Sequence, residues 1–131
     1  MRVLTLFAAA ALLGAAAPPA EPNLQGEWRN TRNTVHLMVR PCGAAMCGTV
    51  TWAAAQQRAD ARSGSGRELV GSVLLRDLRQ GSDGKWRGKV YIPDIDSNAS
   101  ATVTQLNGNL IQVSGCTLFG LACKTQHWHR I

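Results

Sequence analysis

Three groups of side chains in this 131-residue chain have types and spacings that chemistry can use. The first is four cysteines in two close pairs, Cys42 with Cys47 and Cys116 with Cys123. Four thiols admit three pairings. Each close pair flanks a turn-like segment, Gly43–Met46 or Thr117–Ala122, so each is expected to clasp a hairpin through a disulfide. Closing loops this short stabilises by about 2–2.5 kcal/mol each on the chain-entropy account. The rival is a four-thiolate zinc site. Its ligand pairs ordinarily have two to four residues between them, and the counts here are four and six.

The second group is histidine. His127 and His129 are two residues apart and share one face of a strand, a spacing that zinc can use. His36 is the only other histidine, and no carboxylate is placed to complete the set. The third group, Asp94-x-Asp96-x-Asn98, imitates the start of a calcium loop, but Ala99 and Gln105 stand where the loop needs glycine and glutamate. No metal or cofactor is expected. A nucleophile needs a base and an orienting group. The serines lack a nucleophile-elbow context, the cysteines are expected to be bridged, and no glycine motif opens a phosphate cradle. The chain is therefore expected to be a binder rather than an enzyme.

The elements that carry these residues have the period of strands. Val35, Leu37 and Val39 alternate with His36, Met38 and Arg40. Gly48, Val50 and Trp52 share one face of the next run, and Trp86, Gly88, Val90 and Ile92 one face of another. Asn107-Gly108 is a two-residue hairpin signal. Eight strands are expected, near residues 25–30, 34–40, 46–52, 70–78, 86–92, 100–106, 109–114 and 124–130. No convincing helix stands out. The Ala53–Leu69 gap has room for a helical turn, and Ser63-Gly64-Ser65-Gly66 reads as flexible loop. Short strands with short connections favour an all-β fold, an eight-stranded up-and-down antiparallel barrel, because closure removes aggregation-prone edges.

The chain begins with a different composition. Fourteen of the first 17 residues are hydrophobic and one, Arg2, is basic. A short alanine-rich run ending in small residues reads as a secretory signal peptide over residues 1–16, cut within 16–20. The run is too short for a bilayer-spanning helix, and no cysteine follows it for lipidation. Residues 17–24 are a linker and residues 25–131 a single domain. Export to the periplasm or beyond is an oxidising fate that suits paired thiols. The net charge of +6 becomes +5 without Arg2. The basic residues are spread along the chain, and export removes nucleic acid as a partner, though such a charge favours dwelling near anionic envelope surfaces.

Gly26-x-Trp28 opens the first strand and Trp128-x-Arg130 ends the last. These ends resemble the calycin pattern of lipocalin-like barrels, where a basic residue of the last strand packs over the first-strand tryptophan. The rest adds Pro41-Cys42-Gly43, Cys47-Gly48-x-Val50-x-Trp52, Leu69-Val70-Gly71 and Trp86-x-Gly88-Lys89-Val90-Tyr91-x-Pro93. In that order and spacing the chain resembles the bacterial exported family DUF2147, and departs from it at Asp94–Ala99. The resemblance implies a lipocalin-like barrel and carries no catalytic residues.

Strand parity then divides the tryptophans. Trp28, Trp86 and Trp128, with Arg130, are expected to close the floor, and Trp52 and Ile92 to stand at the mouth. The leading expectation is a binding protein for an apolar or amphipathic small molecule at that mouth. The rivals are a protein–protein module, such as an inhibitor of a hydrolase, and an envelope structural or stress protein without a discrete ligand. Interior volume discriminates: a drug-sized ligand needs about 300 Å3 or more, and a lumen plugged by Val35, Leu37, Val50 and Val90 excludes it.

Overall fold

The computed structural model describes residues 23–116 and 123–131. The expected leader, most of the linker and the Thr117–Ala122 turn lie outside the described residues. The strands are β1 (Gly26–Asn30), β2 (Val35–Cys42), β3 (Ala45–Ala53), β4 (Val73–Gln80), β5 (Trp86–Ile92), β6 (Ser97–Asn107), β7 (Leu110–Cys116) and β8 (Cys123–Arg130). Each pairs antiparallel with the next, and β1 pairs with β8, so the sheet closes into the expected up-and-down barrel. Odd strands run from the floor to the mouth and even strands return.

Inward alternation builds the core. Trp28, Leu37, Val39, Val50, Leu75, Leu78, Val103 and Ile111 are all buried and pack in one cluster. Each such side chain contributes roughly 1.5–3 kcal/mol by leaving water. The clasps form as expected. Cys42–Cys47 joins β2 to β3 at the floor, and Cys116–Cys123 joins directly opposed residues of β7 and β8 at the mouth.

Two of the register shifts in the sheet re-aim residues that matter here. Across β2 and β3, His36 faces Trp52 while Leu37 faces Val50, so Thr51 is an extra residue in β3. Across β4 and β5, Arg76 faces Lys89 while Arg79 faces Arg87, so β4 carries an extra residue at Asp77, whose φ is +54°. Such bulges bend the strand and turn later side chains over. The β4 bulge pushes backbone onto Gly88, where a Cβ would collide with the Arg76 carbonyl.

One element departs from expectation. Residues Ala55–Ser65 form a helix, α1, over the mouth, and Ser63–Ser65 are its last turn rather than loop. Gly66, at φ +71°, caps it by donating its N–H to the Arg62 carbonyl. The segment is rich in good helix formers, but only Ala61 is buried, so it carries no apolar stripe for a periodicity search to find. The linking turn after it holds Leu69 in the core and delays β4 to Val73. No helix among the described residues is long and apolar enough to cross a membrane.

Candidate functional site

The floor is a paired, sealed structure. Trp28 is 0% exposed and its indole N–H donates to the Leu24 carbonyl at 2.9 Å. The Arg130 guanidinium lies 4.3 Å from the Trp28 ring centroid, close enough for a cation–π contact. It also donates to the carbonyls of Gly108 at 2.8 Å, Gln25 at 2.7 Å and Asn23 at 2.8 Å. Gly26, at φ +137°, makes room, since a Cβ there would strike Nη1 of Arg130. Leu24 is 1% exposed and belongs to this core, although it falls in the expected linker. Its signal in the sequence was only its place four residues before Trp28. Trp86 is half-buried against the same core at the start of β5.

The mouth is open. A cavity of about 680 Å3 enters the barrel there. Val35, Leu37, Leu75, Val90 and Trp128 line it, and Ile92 stands in its wall. Polar groups gather among the remaining lining residues: Asn30, Arg32, Gln57, Asp94 and His127. Trp128 is thus part of the cavity rather than of the floor alone. The reason is register. Trp128 faces Asn30, the last residue of β1, while Arg130 faces Trp28. Because β1 stops at Asn30, Cys123–His127 of β8 continue past it without a β1 partner, and the β1–β2 turn lines the cavity beside them.

Trp52 stands elsewhere. Strict alternation puts it on the face of Val50, but the extra residue at Thr51 turns it outward and sends Ala53 inward. Trp52 is 44% exposed and its ring centroid lies 4.7 Å from that of His36. Of the two residues expected at a ligand mouth, the structure brings only Ile92 to the cavity.

Helix α1 covers part of the opening. Its last turn rests on the turn Pro93–Ile95, with Gly64 against the Asp94 carbonyl so closely that any Cβ would collide. Glu68 accepts from Arg58 and Arg62 and ties the helix to the following turn. These hydrogen bonds, Arg62 first, hold the Glu68 carboxyl below its ordinary range. Beside them, Tyr91 donates its hydroxyl to Asp96, and that bond, helped by burial, pushes the phenol above its usual value of 10.0. Asp94, Asp96 and Asn98 therefore do not converge: Asp96 is engaged by Tyr91 and Asp94 lines the cavity. His129 contacts the Thr31 hydroxyl at 3.1 Å and His36 contacts Asn33 at 2.7 Å.

The residue that the sequence did not point to is Gln57. It projects from α1 into the cavity wall, and its Oε1 is buried with no hydrogen-bond partner. An unmade bond of this kind costs about 1–3 kcal/mol. It is an exception among the buried polar side-chain atoms and calls for an explanation.

A closed eight-stranded antiparallel sheet with a sealed floor and a cavity at the mouth defines the class of small up-and-down β-barrels. The family model for uncharacterised proteins conserved in bacteria, DUF2147, matches residues 26–130, and the chain belongs to that family. The curated proteins and the solved structures contain no match to it.

Proposed function

We propose that the barrel is an exported carrier or sensor that binds one amphipathic small molecule in the mouth cavity. The observation that carries this reading is the cavity itself. Its volume of about 680 Å3 falls in the range of roughly 300–1,000 Å3 typical of small-molecule sites. Of the four side chains that could plug the lumen, Val35, Leu37 and Val90 line this space and Val50 is packed in the core. Apolar walls suit the ligand's hydrocarbon part. The polar lining residues Asn30, Arg32 and His127 suit its polar part. Binding, not turnover, is the activity proposed. The leader-like first 16 residues support the export part of this reading, and the two disulfides suit it.

The outward Trp52–His36 pair favours a second reading, a protein contact on the outer wall of β2 and β3. Exposed aromatic side chains are enriched at such contacts. Native mass spectrometry of the protein purified from the cells that make it separates the two. The expected result is a co-purifying small molecule that is lost from a folded Val90→Trp variant, whose indole fills the cavity. A wild-type protein carrying no small molecule, or one equally retained by Val90→Trp, overturns the cavity reading. A stoichiometric protein partner lost on Trp52→Ala establishes the second.

A further inference from the structure

We propose that the outer face of the β4–β5 hairpin docks the protein on an anionic phospholipid surface. The residues come together only through the register. Arg76 faces Lys89, and Arg79 faces Arg87, across the two strands. All four are exposed, on the outer wall opposite Leu75, Leu78 and Val90. Lys85 adds a fifth cation at the hairpin end. Residues 76–89 hold five basic side chains against two acidic ones, half of the chain's net +6.

Like charges directly opposite on a sheet are destabilising, so two such rungs in succession call for a compensating charge. The protein supplies little. Asp83 pairs with Arg87 at 2.7 Å, but among the described residues no carboxylate lies within ion-pair distance of Arg76, Arg79, Lys85 or Lys89. The flanking strands cannot help. Neither β3 nor β6 contains a charged residue, and on β6 Lys89 faces Ser100 and Arg87 faces Thr102. A cationic ladder thus stands between two uncharged strands.

The composition of this face selects the partner. Among the described residues the large exposed hydrophobic ones are Trp52, Val70, Ile95, Leu106 and Ile131, and none lies on the hairpin. A protein interface needs an apolar or aromatic centre depleted in charge, and single-stranded nucleic acid needs aromatic platforms for its bases. An anionic bilayer needs neither. Its phosphates are laterally mobile, so they can follow flexible arginine and lysine chains, and attraction accumulates with each cation near the surface.

Co-sedimentation with vesicles tests this. The purified protein is expected to bind phosphatidylcholine vesicles containing an equal part of phosphatidylglycerol, to release them in high salt, and to ignore phosphatidylcholine alone. Each cation near the surface is worth roughly fivefold, so the Arg76→Gln/Lys89→Gln variant should partition about 25-fold less. Arg40→Gln/Lys124→Gln removes the same charge elsewhere and should lose only a few-fold. The ladder variant should also melt no lower than wild type, since a repulsion has been removed. No binding to the anionic vesicles, equal losses in the two variants, or a lower melting point for the ladder variant would overturn the proposal. Tighter capture by soluble polyglutamate than by the vesicles would replace the membrane with an acidic protein.

Discussion

At the floor of the barrel, the Arg130 guanidinium covers the Trp28 ring at 4.3 Å and donates to three backbone carbonyls. At the mouth, Gln57 holds a buried oxygen with no partner beside a cavity of about 680 Å3. Both ends are clasped by a disulfide, so cross-linking does not distinguish them. Hydrogen-bond completeness and packing do. The floor combines full burial with satisfied donors, which is how a fold is stabilised. The mouth forgoes both, and places where a protein does so are expected to be functional sites.

The contrast is open to attack at several points. The largest effect should come from Trp28→Ala, which empties the most buried large side chain of the floor and is expected to cost about 3–5 kcal/mol in urea denaturation. Ile92→Ala removes a side chain that is only half-buried beside the cavity and should cost about 1 kcal/mol. Equal losses would erase the distinction between the ends. Arg130→Met keeps an apolar cover on the indole but removes the cation and its hydrogen bonds, for an expected loss of about 2–3 kcal/mol. Arg130→Lys should recover less than half of it, because a lysine cannot reach three carbonyls from one planar group.

Gly64→Ala targets the mouth alone. Its Cβ would meet the Asp94 carbonyl, so α1 must lift, at about 1–2 kcal/mol. Hydrogen exchange should accelerate in residues 55–65 while amides around Trp28 keep their protection. Uniform acceleration would show that the two ends unfold together. Gln57→Leu should do the opposite of an ordinary core substitution. With no ligand bound it is expected to stabilise by up to about 1 kcal/mol, since it removes an unsatisfied buried oxygen. A loss of stability would show that the oxygen is satisfied in solution.

The smallest effect is a titration at the floor. The Asp83 carboxyl accepts from Arg87 and from the Lys85 backbone N–H, and these lower its pKa from 3.8 to about 2. A depressed carboxylate stabilises the folded state above its unfolded pKa, and that contribution fades as pH falls through the folded value. The β4–β5 turn should therefore loosen between about pH 4 and pH 2, seen as exchange broadening of Gly84 and Lys85 amides by NMR. Asp83→Asn should abolish this step. Asp83 lies on an exposed turn and its ion pair is screened by solvent, so global stability should move little.

Most strands were legible because a half-buried strand announces itself by its period of two; the Asn-Gly signal marked the β6–β7 hairpin one residue early, since Asn107 pairs with Leu110 and the turn is Gly108-Asn109. The Trp28–Arg130 contact was legible because both ends of the chain carry its partners in a recognisable frame. Helix α1 was not. It buries Ala61 alone, and a helix held by its neighbours rather than by an apolar stripe has no periodic signature. Strict alternation misplaces Trp52 for a related reason. The alternation read correctly as far as Val50, but the bulge at Thr51 depends on how β2 pairs with β3, and no window within β3 contains that information.

Period, turn chemistry and cysteine spacing are written in neighbouring positions and carry the fold class and the local disulfides, while the Trp28–Arg130 contact came from the resemblance of the two strand ends to a known frame. Which other side chains meet across strands depends on the folded barrel. It opened the cavity beside Trp128, turned Trp52 outward and brought Gln57 over the mouth. It also stacked cations scattered over residues 76–89 into one ladder. The physical reason is that strand register and helix placement are settled by the packing of the whole barrel, and a shift of one residue exchanges the inside of a strand for its outside.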